Sequence, residues 1–167
     1  MFRPVALPDA IPGRLYLHSM PGRYEPFAAA RSEILRQGIG RVVCLTPIEE
    51  VREKSPDYAE AFAQGQLPWD HVSFPITDYG APEDRGAFWQ LAEDLAERLR
   101  EGQRILIHCG AGIGRTGTLA ICVLIAVGIE PTQANALVTS AGARPEQQSQ
   151  RDVIASAVEA ADRGSSR

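Results

Sequence analysis

Between His108 and Gly117 the chain reads His-Cys-Gly-Ala-Gly-Ile-Gly-Arg-Thr-Gly, so that five residues separate one thiol, Cys109, from one guanidinium, Arg115, among glycines. The apolar run before this segment, 104–107, is strand-like, and the run from Thr116 onward is helix-like. A strand ending at Cys109 and a helix starting near Thr116 leave the backbone N–H groups of Gly110, Ala111, Gly112, Ile113 and Gly114 unpaired around one concavity. Such a nest attracts a dianion through its oriented dipoles and the positive end of the helix. Arg115 adds a planar fork that takes two phosphate oxygens at once, which a lysine cannot do. The same surroundings favour a nucleophilic sulfur, since a helix N-terminus with a nearby cation brings a thiol into the range of roughly 3.5 to 7.5. These residue types at this spacing suit a site that holds a phosphate and attacks it, with Cys109 beneath the phosphorus and Thr116 able to donate to the sulfur as it leaves.

A phosphate monoester also needs its leaving oxygen protonated, which demands a carboxylic acid from another loop. Asp78 lies in Phe74-Pro75-Ile76-Thr77-Asp78-Tyr79-Gly80-Ala81-Pro82, a Pro/Gly-bounded segment straight after a short apolar alternation. An isolated Asp there would be a turn former; with the thiol and the arginine downstream it is the candidate general acid. Asp70 opens a strand-like run and Asp84 heads a helix, where an acidic residue is stabilising in any case. A competing motif is G-x-G-x-x-G over 112–117, with the acidic Glu130 further along. A dinucleotide site would need Glu130 at the end of a second strand, yet 118–127 reads as a buried helix and Pro131 as the first residue of the next. No lysine follows the glycines, so a Walker A loop is excluded.

The elements that must position these groups alternate along the chain. Residues 15–18 suit a short strand, 26–37 a helix closed by Gly38, 41–45 an apolar strand, 56–64 a weaker helix and 70–74 a strand. The clearest helix spans 87–100, with Phe88, Leu91, Leu95 and Leu99 three or four apart and Gly102 as its stop. After the strand that leads into Cys109 come the helix from Thr116, one over 131–140 and a last one over 147–161, followed by a disordered tail at 162–167. The expected fold is α/β, with a mainly parallel central sheet flanked by helices on both faces. Ligands of such sheets bind beyond the carboxyl ends of the strands, where Cys109 falls.

With 167 residues and 44% hydrophobic content, the chain suits a single domain with one core at about 14–161. A net charge of -4 gives no electrostatic case for nucleic acid or a membrane as partner. Residues 1–12 lack the apolar centre of a secretory leader, and the three cysteines argue against a disulfide framework, so a reducing, cytoplasmic setting is expected. Cys44 and Cys122 suit small hydrophobic core positions.

His108 to Gly117 matches every fixed position of the signature HCxxGxxR[ST], and on these residues the chain resembles the cysteine-dependent protein tyrosine and dual-specificity phosphatases. The resemblance implies a phosphocysteine intermediate on Cys109, Arg115 as clamp of the phosphoryl group, Gly110 to Gly114 as cradle, Thr116 as helper in thiolate departure and His108 as the thiolate-tuning histidine. Asp78, 31 positions upstream of Cys109, matches the general-acid spacing of the dual-specificity members. More loosely, the layout from Leu15 to Asp152 is similar to the atypical dual-specificity group, and within it to the kinase-associated (cyclin-dependent kinase inhibitor 3-type) phosphatases. The shared elements are Leu15-Tyr16-Leu17, then Met20-Pro21-Gly22-Arg23, then Cys44-Leu45-Thr46, and the acid loop.

Several expectations follow from this resemblance. The segment Arg144-Pro145-Glu146-Gln147-Gln148-Ser149-Gln150 corresponds to the Gln-rich loop that positions the hydrolytic water, a task left open among Gln147, Gln148 and Gln150. Some relatives protect the nucleophile by a disulfide from a position like that of Cys44, which makes Cys44 the candidate redox partner. The implied substrate is a phosphorylated protein or peptide, carrying phosphotyrosine and by extension phosphoserine or phosphothreonine, bound by a monomer that uses no metal and no cofactor. Arg23 and Arg144 are candidate contacts for acidic groups on that substrate. The alternatives are a phosphatase of phosphoinositides or other small phosphomonoesters, which the uncharged cradle disfavours, and a non-catalytic phosphopeptide-binding module, for which a thiol and an acid would be superfluous.

Overall fold

The computed structural model describes residues 2–166. Among them the elements run β1 (Arg3–Pro4), β2 (Arg14–His18), α1 (Phe27–Arg36), β3 (Arg41–Cys44), α2 (Ile48–Lys54), α3 (Pro56–Ala63), β4 (Asp70–Ser73), α4 (Arg85–Arg100), β5 (Arg104–His108), α5 (Gly114–Val127), α6 (Pro131–Ser140) and α7 (Gln148–Ser165). The strands form one sheet in the order β1-β2-β5-β3-β4. Only β1 is antiparallel to its neighbour; β2, β5, β3 and β4 run parallel, so their carboxyl ends open on one edge. β5 lies at the centre, and Ile105, Leu106 and Ile107 are wholly buried, which is why this strand reads as an unbroken apolar run instead of an alternation.

Successive side chains of a strand point to opposite faces. Val43, Leu45, Ile105 and Ile107 join one core with Phe88, Leu95 and Leu99 of α4, Leu119 and Val123 of α5 and Val153 of α7. Tyr16, Val42, Cys44 and Leu106 join the other with Ile34 of α1, Val51 of α2 and Tyr58 of α3. α5 is buried from Gly114 to Ile125, and α4, α6 and α7 pack around it. A helix apolar on all sides is an interior helix, and none of the described helices is long and apolar enough to cross a membrane.

The α/β fold and the parallel sheet match the expectation, with three differences. β1 has only two residues, one of them a proline, which suits an edge strand but gives no periodic signal. α2 is short; its signature is local, with Glu49 and Glu50 in the first turn and Arg52 and Lys54 in the last, as the helix dipole favours. α7 continues to Ser165, beyond the expected end at 161. Val153, Ile154, Ala157, Val158 and Ala161 recur at helical spacing against the core and carry the helix into what reads from composition as a tail; Arg167 of that segment lies outside the described residues.

Two acidic residues have structural duties. Asp84 caps α4, accepting from the Ala87 N–H at 2.9 Å. Glu130 caps α6, accepting from the Gln133 N–H at 3.2 Å, which removes it from any dinucleotide role at a strand end.

Candidate active site

The parallel strands deliver four segments to one edge of the sheet: Cys109 after β5, Glu50 on the helix after β3, Asp78 on the loop after β4 and Arg23 on the loop after β2. The turn from β5 to α5 is tied down from outside. The Gly110 carbonyl accepts from the Met20 N–H at 3.1 Å, and the Ile113 carbonyl accepts from the Arg144 N–H at 3.1 Å. Arg3 donates to the Gly112 carbonyl at 2.6 Å while its other nitrogen donates to Gly142 at 2.8 Å and Ala141 at 3.2 Å. With these carbonyls committed to the scaffold, the N–H groups of Gly110, Ala111 and Ile113 make no hydrogen bond among the described residues. The Gly112 N–H points inward and donates to Cys109 Sγ at 3.2 Å. Gly112 has φ +75°, and a Cβ there would collide with the His18 carbonyl, so only glycine fits.

Arg115 is buried and every contact it makes bears on the site. Nη1 and Nη2 donate to the two Glu50 oxygens at 2.8 and 3.0 Å, Nη1 also donates to the Ile76 carbonyl at 2.9 Å, and Nη2 donates to Asp78 Oδ1 at 3.0 Å. Burial opposes the charge on Glu50, but hydrogen bonds from Arg115 and Lys54 outweigh it and hold the carboxyl at about 2. Burial likewise opposes the charge on Arg115, yet Glu50, Cys109 and Asp78 together raise its pKa. The guanidinium is thus held in one orientation by a carboxylate that stays ionised. Asp78 is half exposed; its Oδ1 also accepts from the Tyr79 N–H at 3.0 Å, and Tyr79 adopts φ +59°, a conformation that non-glycine residues rarely take.

His108 is fully buried behind the nucleophile. Its Nδ1 contacts the Cys109 carbonyl at 3.2 Å and its Nε2 contacts Tyr58 Oη at 2.9 Å; the same hydroxyl contacts His71 Nε2 at 2.7 Å. A carbonyl only accepts, so Nδ1 of His108 carries the proton. Burial drives both rings down to about 4, leaving them neutral, and the chain then has one direction: His71 donates to Tyr58, and Tyr58 donates to the bare Nε2 of His108.

The remaining expected residues divide by environment. The Thr116 hydroxyl is buried and has no hydrogen-bond partner among the described residues, a donor held in reserve beside the loop. Gln147 caps α7. Gln150 is buried: its Oε1 accepts from the N–H groups of Glu146 at 2.7 Å and Gln147 at 3.3 Å, and its Nε2 donates to the Gly80 carbonyl at 3.0 Å, fastening the acid loop to α7. Cys44 pairs in register with His108, as the strand order requires, but its thiol contacts Thr46 and packs in the core of Tyr58, whereas Cys109 belongs to the core on the other face. All three cysteines are free, and burial raises the pKa of Cys44.

Glu50, Tyr58, His71 and Arg3 escape sequence reasoning. For Glu50 a signal existed, the charge-ordered helix straight after an apolar strand, on the edge where α/β sheets bind ligands. Arg3 carries none, because its partners are three carbonyls more than a hundred residues away.

Comparison with known proteins places the chain. Residues 10–165 match the model of PTP-SAK, the Swiss Army Knife protein DSP-PTPase phosphatase domain. Cyclin-dependent kinase inhibitor 3 of Rattus norvegicus is 34% identical over 105 residues, which is 61% of this chain and 48% of that protein, so the chain spans about half the length of the curated relative it matches. Among solved structures, Tk-PTP in its active form aligns over 88% of this chain and 92% of its own at 28% identity and a TM-score of 0.70. Kinase-associated phosphatase with its catalytic cysteine replaced by serine aligns over 97% and 96% at a TM-score of 0.78; at 20% identity it testifies to the fold alone. By signature, fold and family match, the chain belongs to the DSP-PTPase family of cysteine-based tyrosine and dual-specificity phosphatases, which are phosphoric monoester hydrolases.

Proposed function

We propose that the chain removes phosphate from phosphotyrosine in proteins, with phosphoserine and phosphothreonine as further substrates, through a phosphocysteine intermediate on Cys109. The amide nest of Gly110 to Gly114 and the fork of Arg115 bind the phosphoryl oxygens. Cys109 Sγ attacks phosphorus, an S–P bond forms as the ester P–O bond breaks, and Asp78 gives its proton to the leaving oxygen. In the second step water attacks the phosphocysteine, Asp78 takes the water's proton, the S–P bond breaks and Thr116 donates to the departing thiolate. Gln150 holds the acid loop, and Gln147, Gln148 or Gln150 orients the water; Gln150 Oε1 lies 3.3 Å from where a Cβ on Gly114 would stand. No step requires a metal or a cofactor.

The observation that carries this reading is the junction at Arg115, where one guanidinium beside the Cys109 loop touches Glu50, the acid-loop carbonyl of Ile76 and Asp78. A phosphopeptide-binding module would need the cradle but neither the thiol nor the acid. The test is phosphate release from an aryl phosphate and from matched phosphotyrosine, phosphothreonine and phosphoinositide panels, with and without chelator. Chelator-insensitive release that is lost in Cys109→Ser supports the proposal. Release from no aryl phosphate, or a strong preference for phosphoinositides, removes it.

A further inference from the structure

The loop between β2 and α1 places a second cation at the mouth of the cradle. Met20-Pro21-Gly22-Arg23 is a tight turn: the Arg23 N–H donates to the Met20 carbonyl at 3.0 Å, proline stands second, and Gly22 stands third with φ +88°, the arrangement of a type II turn. This turn is docked at two points. The Met20 N–H holds the Gly110 carbonyl at 3.1 Å, and Ser55 Oγ donates to the Pro21 carbonyl at 2.7 Å. The position of Arg23 is therefore fixed by the phosphate loop itself. Its Nη1 lies 3.2 Å from where a Cβ on Gly110 would stand.

The other guanidiniums that touch the phosphate loop already have tasks. Arg115, oriented by Glu50, Ile76 and Asp78, serves the scissile phosphoryl group, and Arg3 holds three backbone carbonyls. Arg23 forms no side-chain hydrogen bond and no ion pair among the described residues; its guanidinium lies 4.7 Å from the centroid of the Tyr24 ring, and Tyr24 is 67% exposed. Glu50, the nearest carboxylate to Gly110, already serves Arg115 and Lys54. A guanidinium stacked on an aromatic ring keeps its in-plane N–H donors free for a carboxylate or phosphate.

We infer that Arg23 and Tyr24 form a second anion subsite, which takes an acidic group next to the scissile phosphate in a phosphopeptide. The inference rests on the proposed protein-phosphatase reading and narrows its substrate class. Arg23 stands beside Gly110 at the mouth of the cradle, so with the phosphoryl group in the cradle its guanidinium is offered to an anion carried by a neighbouring part of the same peptide. The anion is the carboxylate of a neighbouring Asp or Glu, or a second phosphate.

The test is kcat/KM on four substrates: an aryl phosphate, and phosphotyrosine peptides flanked by Glu, by Gln, and by a second phosphorylated residue. The wild-type protein is expected to favour one or both anionic peptides over the Gln peptide by about tenfold, mostly through KM, with the preference shrinking as salt rises. In Arg23→Gln the ratio falls to near one, and Arg23→Lys retains part of it, since a point charge keeps the attraction without the fork. The larger of the two wild-type ratios tells carboxylate from phosphate. Equal rates on all three peptides in the wild type overturn the subsite, as does an Arg23→Gln protein that loses activity equally on every substrate. Absence of release from the aryl phosphate would instead strike the catalytic reading.

Discussion

The turn from Cys109 to Ile113 is fixed on every side, by Met20, Arg3, Arg144 and a glycine that no other residue can replace, whereas the loop around Asp78 meets the site through a few polar contacts and leaves its carboxylate half exposed. The two loops face different demands. Binding and in-line attack need sulfur, amides and guanidinium in one geometry, and a small misplacement is costly. The acid loop must admit a substrate and release a product: it is anchored at Ile76, whose side chain is buried and whose N–H donates to the Leu45 carbonyl, while beyond it Asp78 and Gly80 are tied to the site by side-chain bonds from Arg115 and Gln150. Arg115 is where the two meet.

Substitutions should separate the loops by size of effect. Losses should be greatest at the rigid one: Cys109→Ser is expected to abolish turnover while keeping phosphopeptide binding, read by release assay and by calorimetry. A Cys109→Ser protein that still turns over would break the contrast. On the open loop, Asp78→Asn should cost on the order of 10² to 10⁴ in kcat for alkyl phosphates and much less for good leaving groups; an equal loss on both would mean that Asp78 is not the acid. At the junction, Glu50→Gln should lower kcat/KM by roughly tenfold to a hundredfold, because Arg115 loses its oriented carboxylate, and should lower stability in urea by roughly 1 to 3 kcal/mol. Gln150→Ala cuts the tie to Gly80 and frees the Glu146 and Gln147 N–H groups at the start of α7 without touching the rigid loop, so a loss of about tenfold or less, largest for poor leaving groups, is expected.

Acid sensitivity probes the scaffold behind the rigid loop. His71 and His108 titrate at about 4 in the fold against an ordinary 6.5, so the unfolded chain takes up protons first. Their effect is nil above about pH 6.5; stability then falls as pH drops towards 4, by roughly 3 kcal/mol for the buried His108. Glu50 adds a further loss between 4.5 and about 2 as its carboxyl protonates. Thermal melts across this range check the sequence of losses, and a flat profile between pH 6.5 and 4 would contradict neutral buried rings.

The rigid loop is also the part most legible in the sequence. Thiol, glycines, arginine and the runs on either side are contiguous, and local geometry alone makes them a cradle. Asp78 was legible through the chemistry it must complete and the loop it sits in. What stayed hidden is held together at long range: Glu50 reaches Arg115 across 65 positions and Tyr58 reaches His108 across 50. Such pairs depend on strand order, and periodicity gives the existence of β3, β4 and β5 but not that β5 lies between β2 and β3. In the Gln-rich segment the hidden part is again long-range: Gln150, a candidate water ligand by resemblance, is buried, reaches the Gly80 carbonyl of the acid loop and brings its Oε1 to 3.3 Å from where a Cβ on Gly114 would stand.

The phosphocysteine is open to direct observation. A poor hydrolysing variant such as Asp78→Asn, mixed with excess aryl phosphate and quenched in acid within the first turnover, should show a protein mass increased by one phosphoryl group, mapped to the peptide containing Cys109 and absent in Cys109→Ser. Phosphate release in a stoichiometric burst with no covalent adduct, or an adduct on any other residue, would contradict nucleophilic catalysis by Cys109.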